Sequence, residues 1–212
     1  MDERLTELTV RRLVERLATK DPVPGGGSAA ALAGAMGSAL LGMVVELTVG
    51  RQGPDADEGT LMELGVAASS WQSELLNLAD LDATAYDAVV RARRMPRDTE
   101  LERRARGVQL DAAIREATRI PLATARVASQ VLDLAGRVAP LGNRNAISDV
   151  GVAALLAGAA VRGAALNVEI NLPYVVNDDA LVRTASDELR ALIGTIDDRE
   201  RAVRGVVAER LR

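Results

Sequence analysis

Pro24-Gly25-Gly26-Gly27-Ser28 stands directly before a long run of small apolar residues, Ala29 to Val49, and carries the clearest chemical potential in the chain. Three successive glycines let a backbone approach a ligand where a Cβ would clash. The first free N–H groups of a helix starting here point outward at the positive end of its dipole, which suits an anion or the polar edge of a ligand. The plainer alternative is a tight turn with Ser28 as the helix cap. Context excludes two phosphate-site patterns. Gly25 to Ala30 satisfies the dinucleotide fingerprint, but that pattern needs a preceding strand, and Lys20-Asp21-Pro22-Val23-Pro24 cannot form one. A P-loop needs a lysine after its last glycine, and the only lysine, Lys20, precedes it.

Further polar residues interrupt apolar surroundings. Asp82 and Tyr86, four apart, share a helix face, with a surface carboxylate as the plain alternative. Ser148-Asp149 precedes an apolar helix and reads either as a cap with an acid at the dipole's positive end or as a functional carboxylate. Asn143 sits in a glycine-containing loop, where a turn role competes with a binding one. Asn167 and Asn171 stand four apart at the end of a mostly apolar helix, so they suggest a polar pocket, with a polar helix end as the alternative.

Composition narrows the chemistry. The 212 residues include no cysteine and no histidine, which removes disulfides, thiolate nucleophiles, imidazole bases and nearly all zinc ligand sets. Catalysis would rest on carboxylates, hydroxyls, amides or arginine. A net charge of −4 with mixed signs and 1% aromatic residues argues against nucleic acid as a partner. Ala29–Val49 is long enough to cross a membrane, but Glu46, the low hydropathy of Gly and Ala, and the lack of a flanking basic cluster favour burial in protein. The charged start, Met1-Asp2-Glu3-Arg4, shows no signal peptide, and a cytoplasmic protein is expected.

The elements that must position these groups read as helices. With 48% apolar residues and no phenylalanine, the core has to be built from Ala, Leu, Val and Gly at close helix spacing. We expect an all-α, single-domain bundle (residues 1–212) of about six or seven helices, with two tightly packed, small-residue central helices. The first spans Leu5 to Leu17 and stops before Asp21-Pro22. The second runs from Ser28 to Gly50, with Ala30, Gly34, Ser38 and Gly42 in one row. After a polar stretch, Arg51 to Gly59, a third extends to Arg94. A fourth covers Glu100 to Thr118, and Pro121 opens a fifth to Val138. Ser148 to Asn171 repeats the small-residue rows with Ala154/Gly158 and Ala153/Ala157. The last helix covers Asp178 to Leu211, with Leu181, Leu189, Ile193, Ile196 and Val203 inward.

Taken together, Pro24 to Ala30, Asp82 to Ala88, Pro121-Leu122, and Gly142-Asn143 through Ser148-Asp149-Val150-Gly151-Val152-Ala153-Ala154 to Asn167-Val168-Glu169-Ile170-Asn171 resemble the cyclodeaminase/cyclohydrolase family of tetrahydrofolate enzymes. The resemblance covers the chain from about Leu5 to the final helix, in separated motifs in the right order. It implies an all-helical homodimer acting on a folate one-carbon substrate with no metal or redox cofactor. The main expectation is methenyltetrahydrofolate cyclohydrolase, which Ala164-Ala165-Leu166-Asn167-Val168 resembles. The alternative is formimidoyltetrahydrofolate cyclodeaminase, which Ile170-Asn171-Leu172 resembles. A bundle that keeps the fold without the chemistry is the third reading. The resemblance implies Asp82 and Asp149 as catalytic residues and Gly25, Gly26, Gly27, Ser28, Tyr86, Asn143, Asn167 and Asn171 as substrate-binding ones. An enzyme without histidine would need such a carboxylate beside the cationic one-carbon unit, to stabilise the cation and take a proton from the attacking water.

Overall fold

The computed structural model describes residues 4–50 and 57–212. These residues form six α-helices: α1 (Val10–Leu17), α2 (Gly26–Glu46), α3 (Glu58–Arg94), α4 (Glu100–Val138), α5 (Ile147–Asn171) and α6 (Asp179–Arg210). Short 3₁₀ turns occupy Leu5–Glu7, Arg144–Ala146 and Leu172–Tyr174. The expected all-α bundle is therefore observed, and most of the expected polar stretch at Arg51 to Gly59 lies outside the described residues.

Small side chains set the architecture. α2 and α5 run antiparallel, so closely that a Cβ on Gly37 would lie 3.0 Å from the Ala153 carbonyl oxygen and one on Gly34 would lie 3.3 Å from the Ala160 Cβ. Helix glycine costs about 1 kcal/mol against alanine, and this close approach is what offsets it. The two rows on α5 serve different neighbours. Ala153 and Ala157 face α2, while Gly158 faces α6, where Glu200 occupies the space a side chain would need. α3 packs antiparallel along the other side of α2, and the Ser38 hydroxyl donates to the Ala68 carbonyl at 2.8 Å. α4 closes the bundle against α3 and α5, and α6 covers α4 and α5. Leu41, Leu64, Leu75, Leu122, Leu132 and Ile147 fill the centre. Arg162 ties α5 to α6 through Glu200 (2.7 Å) and Asp197 (2.5 Å).

Two helical stretches, Gly26–Glu46 and Arg144–Tyr174, are long and apolar enough to cross a membrane. They are the central pair of the bundle, and about half of each apolar window is buried in protein (56% and 50%).

Several boundaries differ from expectation. The first segment is a 3₁₀ turn followed by α1, and only Leu5 is buried; the apolar side of α1, with Val10 and Val14, is exposed. α2 starts at Gly26 with Gly25 as its N-cap, so Ser28 sits inside the first turn and caps nothing. α5 starts at Ile147, one residue before Ser148, after a 3₁₀ turn whose N-cap is Asn143. Ile193 is 39% exposed, at the edge of a groove rather than beneath a helix. The expected fourth and fifth helices are one, α4, with Pro121 inside it.

Candidate active site

The first turn of α2, the middle of α3, the Pro121 region of α4 and the end of α5 converge on a cleft of about 220 Å³. It is lined by Pro22, Val23, Gly25, Gly26, Gly27, Asp82, Ala83, Tyr86, Ala117, Asn167, Ile170 and Asn171. Larger grooves exist, including one of about 490 Å³ between α3 and α4, but that groove is open and mostly apolar, with Arg91 and Glu116 among its few charged groups. In the smaller cleft a carboxyl, two amides and a helix N-terminus meet apolar walls, the usual character of a small-molecule site.

Asp82 is held there by its neighbours. The Ser28 hydroxyl lies 2.9 Å from Oδ2 of Asp82 and 3.0 Å from the Ala79 carbonyl, so it spans α2 and α3. Gly27 makes room for the carboxyl, since a Cβ there would stand 2.2 Å from Oδ1 and 2.6 Å from Cγ. Burial pushes the Asp82 carboxyl above its ordinary range, and hydrogen bonds from the Ser28 hydroxyl and backbone N–H act against the shift. The N–H groups of the first turn of α2 have no intrahelical acceptor and face the same space.

The opposite wall comes from α5. Nδ2 of Asn167 donates to the Gly163 carbonyl at 2.8 Å and would sit 3.4 Å from a Cβ on Gly26. Nδ2 of Asn171 donates to the Ala117 carbonyl at 2.7 Å and to the Asn167 carbonyl at 2.9 Å. Tyr86, 38% exposed, lies at the rim one turn beyond Asp82.

Of the residues singled out by sequence, Gly25, Gly26, Gly27, Ser28, Asp82, Tyr86, Asn167 and Asn171 come together. Asn143 and Asp149 do not join them within one chain. Asn143 lies at the other end of the α2/α5 pair, where its N–H donates to the Thr48 hydroxyl (2.8 Å), its Nδ2 to the Leu47 carbonyl (2.9 Å), and its Oδ1 accepts from the Asn145 N–H (3.0 Å). Asp149 occupies the first turn of α5, eighteen residues and about 27 Å of helix from Asn167. Val23, Ala117 and Ile170 also line the cleft; as apolar wall residues they carry no chemical signature that sequence could reveal. Among the described residues, no group of three or more Asp or Glu is placed to hold a metal.

Comparison with known proteins gives the same direction. The profile of the formiminotransferase-cyclodeaminase family matches residues 9–191. The chain is 39% identical over 194 residues to the methenyltetrahydrofolate cyclohydrolase of Methylorubrum extorquens, covering 90% of this chain and 93% of that one. It is 31% identical over 209 residues to the formimidoyltransferase-cyclodeaminase of Mus musculus, covering 94% of this chain but only 39% of that protein. The chain thus spans little more than a third of the length of that two-part relative. The crystal structure of formiminotetrahydrofolate cyclodeaminase from Thermotoga maritima superposes with a TM-score of 0.84 over 96% of this chain and 97% of the other, at 26% identity. With its profile matched across most of its length and its fold shared, the chain belongs to the formiminotransferase-cyclodeaminase family.

Proposed function

We propose that this protein is a cytoplasmic folate enzyme that cyclises 5-formimidoyltetrahydrofolate to 5,10-methenyltetrahydrofolate with release of ammonia. The observation that carries this reading is the Asp82 carboxyl, raised by burial and aimed into the cleft at the N-terminus of α2. N10 of the folate attacks the formimino carbon, the N10–C bond forms, and the N10 proton passes to the former imino nitrogen. The tetrahedral carbon then loses that nitrogen as ammonia, a step that consumes one further proton and leaves the methenyl cation. Burial favours the protonated form of the Asp82 carboxyl, which can deliver that proton, and its ionised form then faces the new cation. At about 220 Å³ the cleft falls below the ~300 Å³ typical of whole drug-sized ligands, so it would take the reacting ring system and leave the remainder of the substrate outside.

The reverse emphasis, hydrolysis of the methenyl compound to 10-formyltetrahydrofolate, is the second reading, favoured by the 39% identity to a cyclohydrolase matched along 93% of its length. There the ionised carboxylate would take a proton from the attacking water. One pair of assays separates the readings: ammonia release with rising methenyl absorbance from the formimidoyl substrate, or falling methenyl absorbance from the methenyl substrate. Activity in either assay should survive chelator. Neither activity would leave the fold without this chemistry, and a loss reversed by metal would refute the metal-free account.

The working unit in this proposal is a homodimer. Met36 and Met43 on α2 and Val152, Leu155, Leu166 and Ile170 on the adjacent α5 are 40–68% exposed. Such side chains expose on the order of 600 Å² of apolar surface, close to one partner's share of a standard interface. Asp149 lies on the same side of α5 as Asn167, five turns away. Among the described residues it makes no hydrogen bond or ion pair. A second copy packed antiparallel across this face would carry the partner's Asp149 toward the Asp82 cleft, which gives Asp149 its catalytic role in this reading.

A further inference from the structure

A proline inside a helix removes one N–H and crowds the carbonyl four residues earlier. In α4 that carbonyl belongs to Ala117, and its missing donor would have been the N–H of Pro121. The Asn171 side chain takes the donor's place at 2.7 Å, across from α5. The other partner of the same amide is also a carbonyl, that of Asn167 at 2.9 Å. Both neighbours are acceptors, so both hydrogens of the Asn171 amide are used and its identity as the NH₂ side is fixed. Its Oδ1 has no donor among the described residues, and Asn171 and Ala117 both line the cleft.

We propose that Pro121 is a positioning residue for the site: by withholding its N–H it turns the Ala117 carbonyl into an anchor that locks Asn171, so that only the amide oxygen is free to accept an N–H from the bound substrate. This sets the polarity of that wall of the cleft. A ligand is read there as a hydrogen-bond donor, and a ligand offering only acceptors at that point is rejected because both amide hydrogens are committed. The identity of the ligand rests on the folate reading above; the lock itself does not.

Five chains test it: the parent, Pro121→Ala, Asn171→Ala, their double variant and Asn171→Asp. Pro121→Ala restores a helical donor for Ala117 and releases Asn171. The expected result is a melting temperature equal to or above the parent, a KM raised about tenfold, the weight of one hydrogen bond, and kcat within about twofold. In the Asn171→Ala background the same proline change should alter KM by less than twofold, because its route to the substrate is gone. Side-chain amide NMR gives a readout independent of turnover: the Asn171 NH₂ protons should exchange slowly in the parent and quickly in Pro121→Ala. Asn171→Asp, which keeps acceptors but loses both donors, should raise KM at least as much and covers the case in which the proline variant fails to fold. An unchanged KM in Pro121→Ala, an equal rise in both backgrounds, or unchanged Asn171 exchange would overturn the proposal. An inactive parent with the expected exchange change would instead refute the folate reading and leave the lock standing.

Discussion

Gly27→Ala is the sharpest perturbation of the site, because it adds one carbon at the position the Asp82 carboxyl occupies. The new Cβ would stand 2.2 Å from Oδ1, 2.6 Å from Cγ and 2.7 Å from Oδ2. Carbon atoms pack at 3.5–4.0 Å, so the carboxyl has to retreat by about 1 Å. That movement stretches the 2.9 Å bond from Ser28 past the range of a hydrogen bond. A misplacement of about 1 Å at a reacting group costs on the order of a hundredfold in rate. Stability should barely move, since alanine favours the helix by up to about 1 kcal/mol and the lost Ser28 bond costs a similar amount. The same substitution at Gly65, on α3 and outside the cleft, supplies the control: a Cβ there would sit 3.5 Å from Cγ1 of Val45, an ordinary contact. Turnover of the formimidoyl substrate should therefore fall about a hundredfold in Gly27→Ala and less than about threefold in Gly65→Ala, with melting temperatures within a few degrees of the parent. If Gly27→Ala turned over like Gly65→Ala, the placement of Asp82 over the first turn of α2 would have no catalytic meaning.

Gly34→Leu should lower the melting temperature by roughly 5–10 °C, because the Cβ alone would meet Leu75 at 3.1 Å and Ala160 at 3.3 Å before the rest of the side chain is placed; an unchanged melt would contradict the close packing of α2. Asp82→Asn keeps an acceptor for Ser28 and removes the charge. Burial raises the folded-state pKa above the ordinary value of 3.8, so the parent is penalised at neutral pH and relieved as pH falls toward that value; the variant should be the more stable at pH 7 and lose its advantage near pH 4, in denaturant midpoints at both. A midpoint difference that does not depend on pH would show that the carboxyl is not strained by burial. Mixing Asp82→Asn and Asp149→Asn chains under conditions that reassort dimers should restore about a quarter of parent turnover, since half of the dimers are mixed and each holds one intact shared site. No restoration in a demonstrated mixed dimer would confine the site to one chain and return Asp149 to the dipole of α5.

What the sequence made legible were the groups whose chemistry is local. A run of three glycines before a small-residue helix announces an exposed helix start, and the structure puts Asp82 over that start. Asn167 and Asn171, polar in an apolar helix, do line a pocket. The errors came where a local rule had two outcomes and the deciding partner lay far away. Pro121 fits the first turn of a new helix as well as the interior of a long one, and the interior is tolerated here because Asn171, fifty residues on, supplies the hydrogen bond that the proline cannot. Ser28 satisfies every rule for a cap, yet its hydroxyl turns to Ala79 and Asp82 on a helix fifty residues away. In both cases the hydrogen bond that overrides the local preference is itself part of the cleft. At Pro121 and Ser28, helix-forming rules thus yield to the geometry of the cleft, and these two positions mark its frame as directly as the polar outliers mark its floor.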